Sequence, residues 1–112
     1  MGKLLVLGSL RFKMVNIKEK IIKKFKIKDI EVCDTFWKRL RGMMFSRARN
    51  LVIVLDGESR LNSMIHMFFV FYPIDVYWLD KDFNVVDKRI NLKPFRMAIP
   101  KEKAKYVVEL KR

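Results

Sequence analysis

SMIHMFFVFYPIDVYWLD, residues 63–80, is the densest apolar block in the chain and holds its only histidine, His66. A helix would need apolar residues at a period near 3.6. This block is instead rich in β-branched and aromatic residues, and Pro73 in its middle lacks the amide a helical ladder requires. It reads as two strands that meet at a bend. In the first half, Ile65, Met67, Phe69 and Phe71 fall on one face and Met64, His66, Phe68 and Val70 on the other. Both faces are apolar, so this strand is expected to be covered on both sides, as in a sandwich or closed barrel. In the second half, Ile74, Val76 and Trp78 oppose Asp75, Tyr77 and Leu79. Asp80-Lys81-Asp82-Phe83-Asn84 then supplies turn residues before Val85-Val86. The result is a hairpin with Asn84 as the residue expected at positive φ.

Working outward, Leu51-Val52-Ile53-Val54-Leu55 is a continuous apolar strand that ends at Asp56-Gly57, and Val85–Ile90 and Tyr106–Leu110 read as two more. Between Cys33 and the first of these, Phe36, Leu40, Met43 and Met44 recur at helical spacing. Asp34 or Thr35 is placed to accept from the free amides of the first turn, and Gly42 suits the end of a short helix. Met43, Met44 and Cys33 read as core filler. Residues 1–28 allow two readings. Leu4–Leu7 and Met14–Ile17 read as strands, while Ile21–Lys28 alternates well enough for a strand and also fits an amphipathic basic helix. The first 13 residues read as an extension, with Met14 as an alternative initiator.

At 112 residues and 51% hydrophobic, the chain has material for one core, and a single domain over residues 1–112 is expected. Its one cysteine forms no internal disulfide, and no Cys/His set has zinc-ligand spacing, so the expectation is a reducing, cytoplasmic setting with no metal and no cofactor. No apolar run is long and uninterrupted enough for a membrane span or a signal segment. The formal net charge is +13, concentrated near the two ends of the chain. Such a balance suits nucleic acid or an anionic surface, with a solvated lysine-rich surface as the plainer reading. The absence of Gln, with abundant Ile and Lys, is in keeping with a thermophilic source.

The run IHMFFVFYPIDVYWLDKDFNVVD, followed by LKPF at Leu92–Phe95 and AKYVVEL at Ala104–Leu110, resembles the DUF192 family, also called UPF0127. Upstream, the spacing from Asp34-Thr35 through Arg39 and Leu40 to Gly42-Met43-Met44-Phe45 is similar to that family's helix. The resemblance spans roughly residues 27 to 110. It implies a mainly β (α+β) domain, a sandwich, jelly roll or distorted barrel with one short helix near residues 35–45. It also favours strand over helix for Ile21–Lys28, and it brings no established activity. Phe95 stands where Trp is usual after the proline, and Asp82-Phe83-Asn84 where Asp-Gly is common. The chain stops at Lys111-Arg112 where members often continue, so a shorter sheet or an open edge is expected.

No phosphate loop, nucleotide fingerprint or nucleophile elbow is present, because all four glycines are isolated. Three function classes stay open. The first is a small β domain that binds a ligand or protein partner in a cleft near Arg39, His66, Met67 and Asp75, with Asp75, if partly buried, needing a partner such as Arg39 or a backbone amide. The second is an RNA or other polyanion module in which Lys38, Arg39, Arg41, Arg47 and Arg49 grip phosphates beside Phe36 and Trp37. The third is a hydrolase or lyase using His66 and Asp75. A further acidic group, Asp75, Asp80, Asp82 and Asp87, straddles the hairpin and reads mainly as turn residues and ion pairs. The balance favours a binding domain over an enzyme.

Overall fold

The computed structural model describes residues 2–34, 43, 47–67 and 69–112, with the side chains of the first helix described from residue 13 onward. Helix α1 (Gly2–Phe25) is followed by β1 (Glu31–Cys33), β2 (Leu51–Ser59), β3 (Ile65–His66), β4 (Ile74–Leu79), β5 (Val85–Leu92), β6 (Met97–Ala98) and β7 (Ala104–Lys111). Five strands form one mixed sheet in the order β1-β2-β7-β4-β5, and β3 pairs with β6 in a separate two-stranded ribbon. β1 lies parallel to β2, and the other neighbours are antiparallel. The mainly β, α+β reading holds, and the sheet is open rather than closed into a barrel.

Alternation along the strands gives the sheet two buried faces. Ile74, Val76 and Trp78 of β4, Leu51, Ile53 and Leu55 of β2 and Val107 of β7 pack with Ile65, Met67 and Ala98 in the core under the ribbon. Val52, Leu79, Tyr106 and Val108 face the other way and pack with Ile17, Ile21 and Ile30. The helix therefore covers one face of the sheet and the ribbon the other, which explains why these strands read as continuous apolar runs.

Three expectations are corrected. The strands expected within residues 4–28 are a single helix, whose buried anchors Ile17 and Ile21 are one turn apart and whose Phe25 ring lies 4.8 Å from that of Tyr77. The helix ends on Lys26 at φ 53°, and the Ile27 amide donates to the Ile22 carbonyl. This is a Schellman-type stop in which a lysine holds the left-handed position that glycine usually takes. Among the described residues, the strand expected over Ser63–Phe71 is paired only at Ile65 and His66. The Val70 amide donates back to the Met67 carbonyl and Phe69 sits at φ 59°, so Phe69 and Phe71 turn outward. In the turn between β4 and β5 the positive-φ residue is Phe83, at 66°, not Asn84. The helix expected near Thr35–Met44 lies outside the described residues, apart from Met43, which is buried in the ribbon-side core.

The hairpin shows why Phe83 takes that place. Its amide donates to the Asp80 carbonyl, and the Asp80 amide donates to the Asn84 carbonyl. This is a three-residue loop whose fourth turn residue must be left-handed. That conformation costs a non-glycine residue about 1–2 kcal/mol. Stacking of the Phe83 ring on Tyr106, with centroids 4.5 Å apart, offsets it, and Lys20 Nζ lies over the Phe83 ring, 4.9 Å from its centroid. The Asp80 carboxylate accepts from the amides of Asp82 and Asn84, at 2.9 and 3.0 Å. Asp80→Ala is expected to lower the unfolding free energy by about 1 kcal/mol, measured by urea unfolding, because two turn amides lose their acceptor.

Candidate anion-binding cleft

Where α1 hands over to β1, the chain end of β7 and the start of β2 come alongside. The cleft between them has a volume of ≈ 600 Å³ and is lined by Lys26, Lys28, Asp29, Glu31, Arg49 and Lys111, with Ile27, Ile30 and Asn50. The left-handed stop of the helix sets Lys26 at the rim. Asn50 ties the strands below it together, because its Oδ1 accepts from the Lys111 amide at 3.0 Å and its Nδ2 donates to the Asp29 carbonyl.

The two carboxylates are already engaged. Lys18 Nζ lies 3.0 Å from Asp29, and hydrogen bonding to Lys18 and to the Ile30 amide holds the Asp29 carboxyl below its usual range. Glu31 is gripped by Arg49 Nε. The ammonium groups of Lys26, Lys28 and Lys111 thus leave the cleft a net cation.

Beneath it lies Glu109. It stands on the ribbon-side face of β7, between Leu51 of β2 and Val76 of β4, and is only 5% exposed. Its Oε2 is buried with no hydrogen-bond partner. Burial pushes its pKa up to about 7, and the Arg49 guanidinium pulls the other way. Arg49 therefore sits between two glutamates and links the cleft to the core.

The residues singled out from the sequence are dispersed. Arg39, Lys38 and Arg41 lie outside the described residues. Arg47 is exposed, and Arg49 is in the cleft. His66 is half-buried on β3 opposite Met97, and Met67 is wholly buried in the ribbon-side core. Asp75 belongs to the helix-side face of β4, so the sheet stands between it and the ribbon that carries His66. Its Oδ1 accepts from the Asn91 amide at 2.8 Å and from Arg112 Nη1 at 2.7 Å. The cation beside Asp75 is Arg112, and the amide is that of Asn91; Arg39, the cation named as an expected partner, lies outside the described residues. Asp87 is spent on structure as well. Burial would raise its pKa, but the amides of Lys101 and Lys88 and the Arg89 guanidinium bring it below the usual value. Among the described residues no three His, Cys, Asp or Glu side chains converge as metal ligands, and no helix is long and apolar enough to cross a membrane.

Sequence reasoning missed Lys26, Lys28, Asn50, Lys111 and Glu109 as site residues. The first four come from distant segments and carry no local motif. Glu109 left a signal, an ionisable residue inside the apolar run YVVEL.

The UPF0127 protein PH1112 of Pyrococcus horikoshii is 45% identical over 82 residues, covering 72% of this chain and 70% of that protein. A UPF0127 protein of Thermococcus gammatolerans is 48% identical over 82 residues, and there the chain spans about half of the relative, 53% of its length. Among solved structures, a putative transcription regulator from Sinorhizobium meliloti superposes with a TM-score of 0.66 at 20% identity, over 72% of this chain and 66% of that one. A protein of unknown function from Novosphingobium aromaticivorans gives 0.64 at 16% identity, over 73% of this chain and 61% of that one. At such identities the two structures speak for the fold alone. The family model DUF192, described as "Uncharacterized ACR, COG1430", matches residues 15–112, and with the β4–β5 hairpin and the YVVEL strand in place the chain belongs to that family.

Proposed function

We propose that this domain binds a small anionic ligand in the cleft between the end of α1, β1 and the end of β7. The observation that carries the reading is the convergence of Lys26, Lys28, Arg49 and Lys111 on a cleft of ≈ 600 Å³, a size suited to one small molecule. Asp29 and Glu31 are neutralised by Lys18 and Arg49, so the remaining ammonium groups are available to a phosphate or carboxylate. This keeps the expectation of a small β domain that binds a ligand, and moves the site away from His66 and Asp75. The ion pair and amide contact of Asp75 support a structural part for it rather than acid–base work.

Calorimetric titration with inorganic pyrophosphate at physiological salt tests the reading. Saturable one-to-one binding is expected. The Lys26→Ala/Lys28→Ala/Lys111→Ala variant should weaken it by about a hundredfold or more, since each charge-assisted hydrogen bond contributes about 1.5 kcal/mol, roughly tenfold. Lys101→Ala/Lys103→Ala should leave it unchanged. Equal weakening by both variants would sink the cleft and favour diffuse attraction of polyanions. In that case binding to single-stranded RNA should fall log-linearly with salt.

A further inference from the structure

The ribbon and the two loops beside it carry an exposed apolar cluster that neither the cleft nor the core uses. Phe71 is 64% exposed, Met97 54%, Phe95 53%, Phe69 47% and Ile99 40%. The Phe71 and Phe95 rings meet edge to face with centroids 6.0 Å apart. Contiguous exposed apolar side chains of this kind are uncommon on a soluble surface and mark contact sites. Phe69 and Phe95 are held at φ 59° and 62°, a backbone state that large side chains rarely take and that tends to cluster at functional surfaces.

Three amides of these loops are bonded within the protein. The Met67 amide donates to the Arg96 carbonyl at 2.7 Å, the Phe95 amide to the Met67 carbonyl at 2.8 Å, and the Val70 amide to the Met67 carbonyl at 3.3 Å. These three amides need no water, which lowers the cost of burying this part of the loops.

The segments that carry the cluster hold cations and no carboxylate, and Asp87, which reaches the Lys101 amide, is paired with Arg89. Residues 60–74 contain Arg60 and no carboxylate, and residues 93–101 contain Lys93, Arg96 and Lys101 and no carboxylate. Lys93, Arg96 and Lys101 are exposed, and Arg60 is anchored by its Nε on the Pro100 carbonyl. The partner is therefore anionic. A second copy of this chain would set two cationic rims against each other on molecules of net charge +13. Single-stranded nucleic acid would use the Phe faces but has no use for the aliphatic chains of Met97 and Ile99. An anionic bilayer uses all of these features, because phosphates meet the rim while the apolar side chains reach the acyl boundary.

We propose that the Phe71–Phe95 cluster with its Arg96 and Lys93 rim docks this domain peripherally on anionic lipid surfaces.

Flotation of the full chain with vesicles of phosphatidylglycerol and phosphatidylcholine, against phosphatidylcholine alone, tests this. Binding is expected to the anionic vesicles only. Phe71→Ser/Phe95→Gly, in which glycine suits the left-handed site, should lower partitioning by at least about tenfold while the melting curve stays cooperative. Lys93→Glu/Arg96→Glu should lower it by about the same factor. Should the double aromatic variant fail to fold, Phe71→Trp serves instead: its added emission should shift to the blue and be quenched by brominated acyl chains. Vesicle binding that ignores the aromatic substitutions, or an added tryptophan untouched by bromolipid, would overturn the proposal. So would aromatic-dependent binding to single-stranded oligonucleotide without binding to vesicles, or aromatic-dependent dimerisation.

Discussion

Glu109→Gln is expected to remove a loss of stability that the natural protein suffers between pH 4.5 and pH 8. Glutamate has an ordinary pKa of 4.5, and burial in the sheet raises that of Glu109 to about 7. Below pH 4.5 the carboxyl is protonated in both folded and unfolded chains, and it costs nothing. As pH rises from 4.5 to about 7 the unfolded chain releases the proton while the folded chain keeps it, so stability falls across that window and levels off above it. The difference of about two and a half units corresponds to roughly 3 kcal/mol. Glutamine keeps the shape and has no charge to gain. Urea midpoints of the two proteins should therefore agree at pH 4 and separate by pH 8, with the variant the more stable. Asp29, Asp80 and Asp87, held below their usual range, lose their contribution only as pH falls further, and they do so in both proteins. Parallel curves from pH 4 to 8 would mean that Glu109 ionises freely in the folded chain, with Arg49 and Glu31 rearranged to accommodate it.

Trp78→Ala should come close to unfolding the domain. Trp78 is fully buried, packs in the core between the sheet and the ribbon, and donates its indole Nε1–H to the Ser63 carbonyl at 2.6 Å. Removing the ring opens a cavity at a cost of about 4 kcal/mol, and the orphaned carbonyl adds about 1 kcal/mol more. Domains of this size have about 5–15 kcal/mol in all. Trp78→Phe keeps most of the volume and loses only the hydrogen bond and part of the packing, so it should cost less than half as much. A cooperative urea transition for the alanine variant at a midpoint near the natural one would contradict this account of the core.

The sequence was legible where side-chain period and face agreed. In β2, β4 and β7 each face of the sheet is covered, one by α1 and one by the ribbon, so their apolar runs have no other good reading. The Asp80 turn was visible because an aspartate side chain can accept from amides two and four residues on. The N-terminal helix was hidden because Ile21, Phe25 and Ile27 are also two-residue alternations, and because Lys26 fills the stop position where glycine would have announced an end. Phe83 escaped notice because its left-handed backbone is sustained by Tyr106, a residue far along the chain. The cleft was illegible on the same ground: nothing near Lys28 in the sequence indicates that Lys111 is its neighbour in space, whereas the sheet order β1-β2-β7 brings them together.

That order also bears on how the protein is made. β7 bridges β2 on one side and β4 on the other, although it follows both in the chain. While a nascent chain has emerged from the ribosome only as far as residue 103, the β1–β2 pair and the β4–β5 hairpin each present an apolar, unpaired edge that nothing yet closes. Assembly of the sheet must wait for its central strand, so folding is rich in distant pairings, which slows it. Until β7 is in place, the net charge of +13 opposes the pairing of these open edges between two copies of the chain.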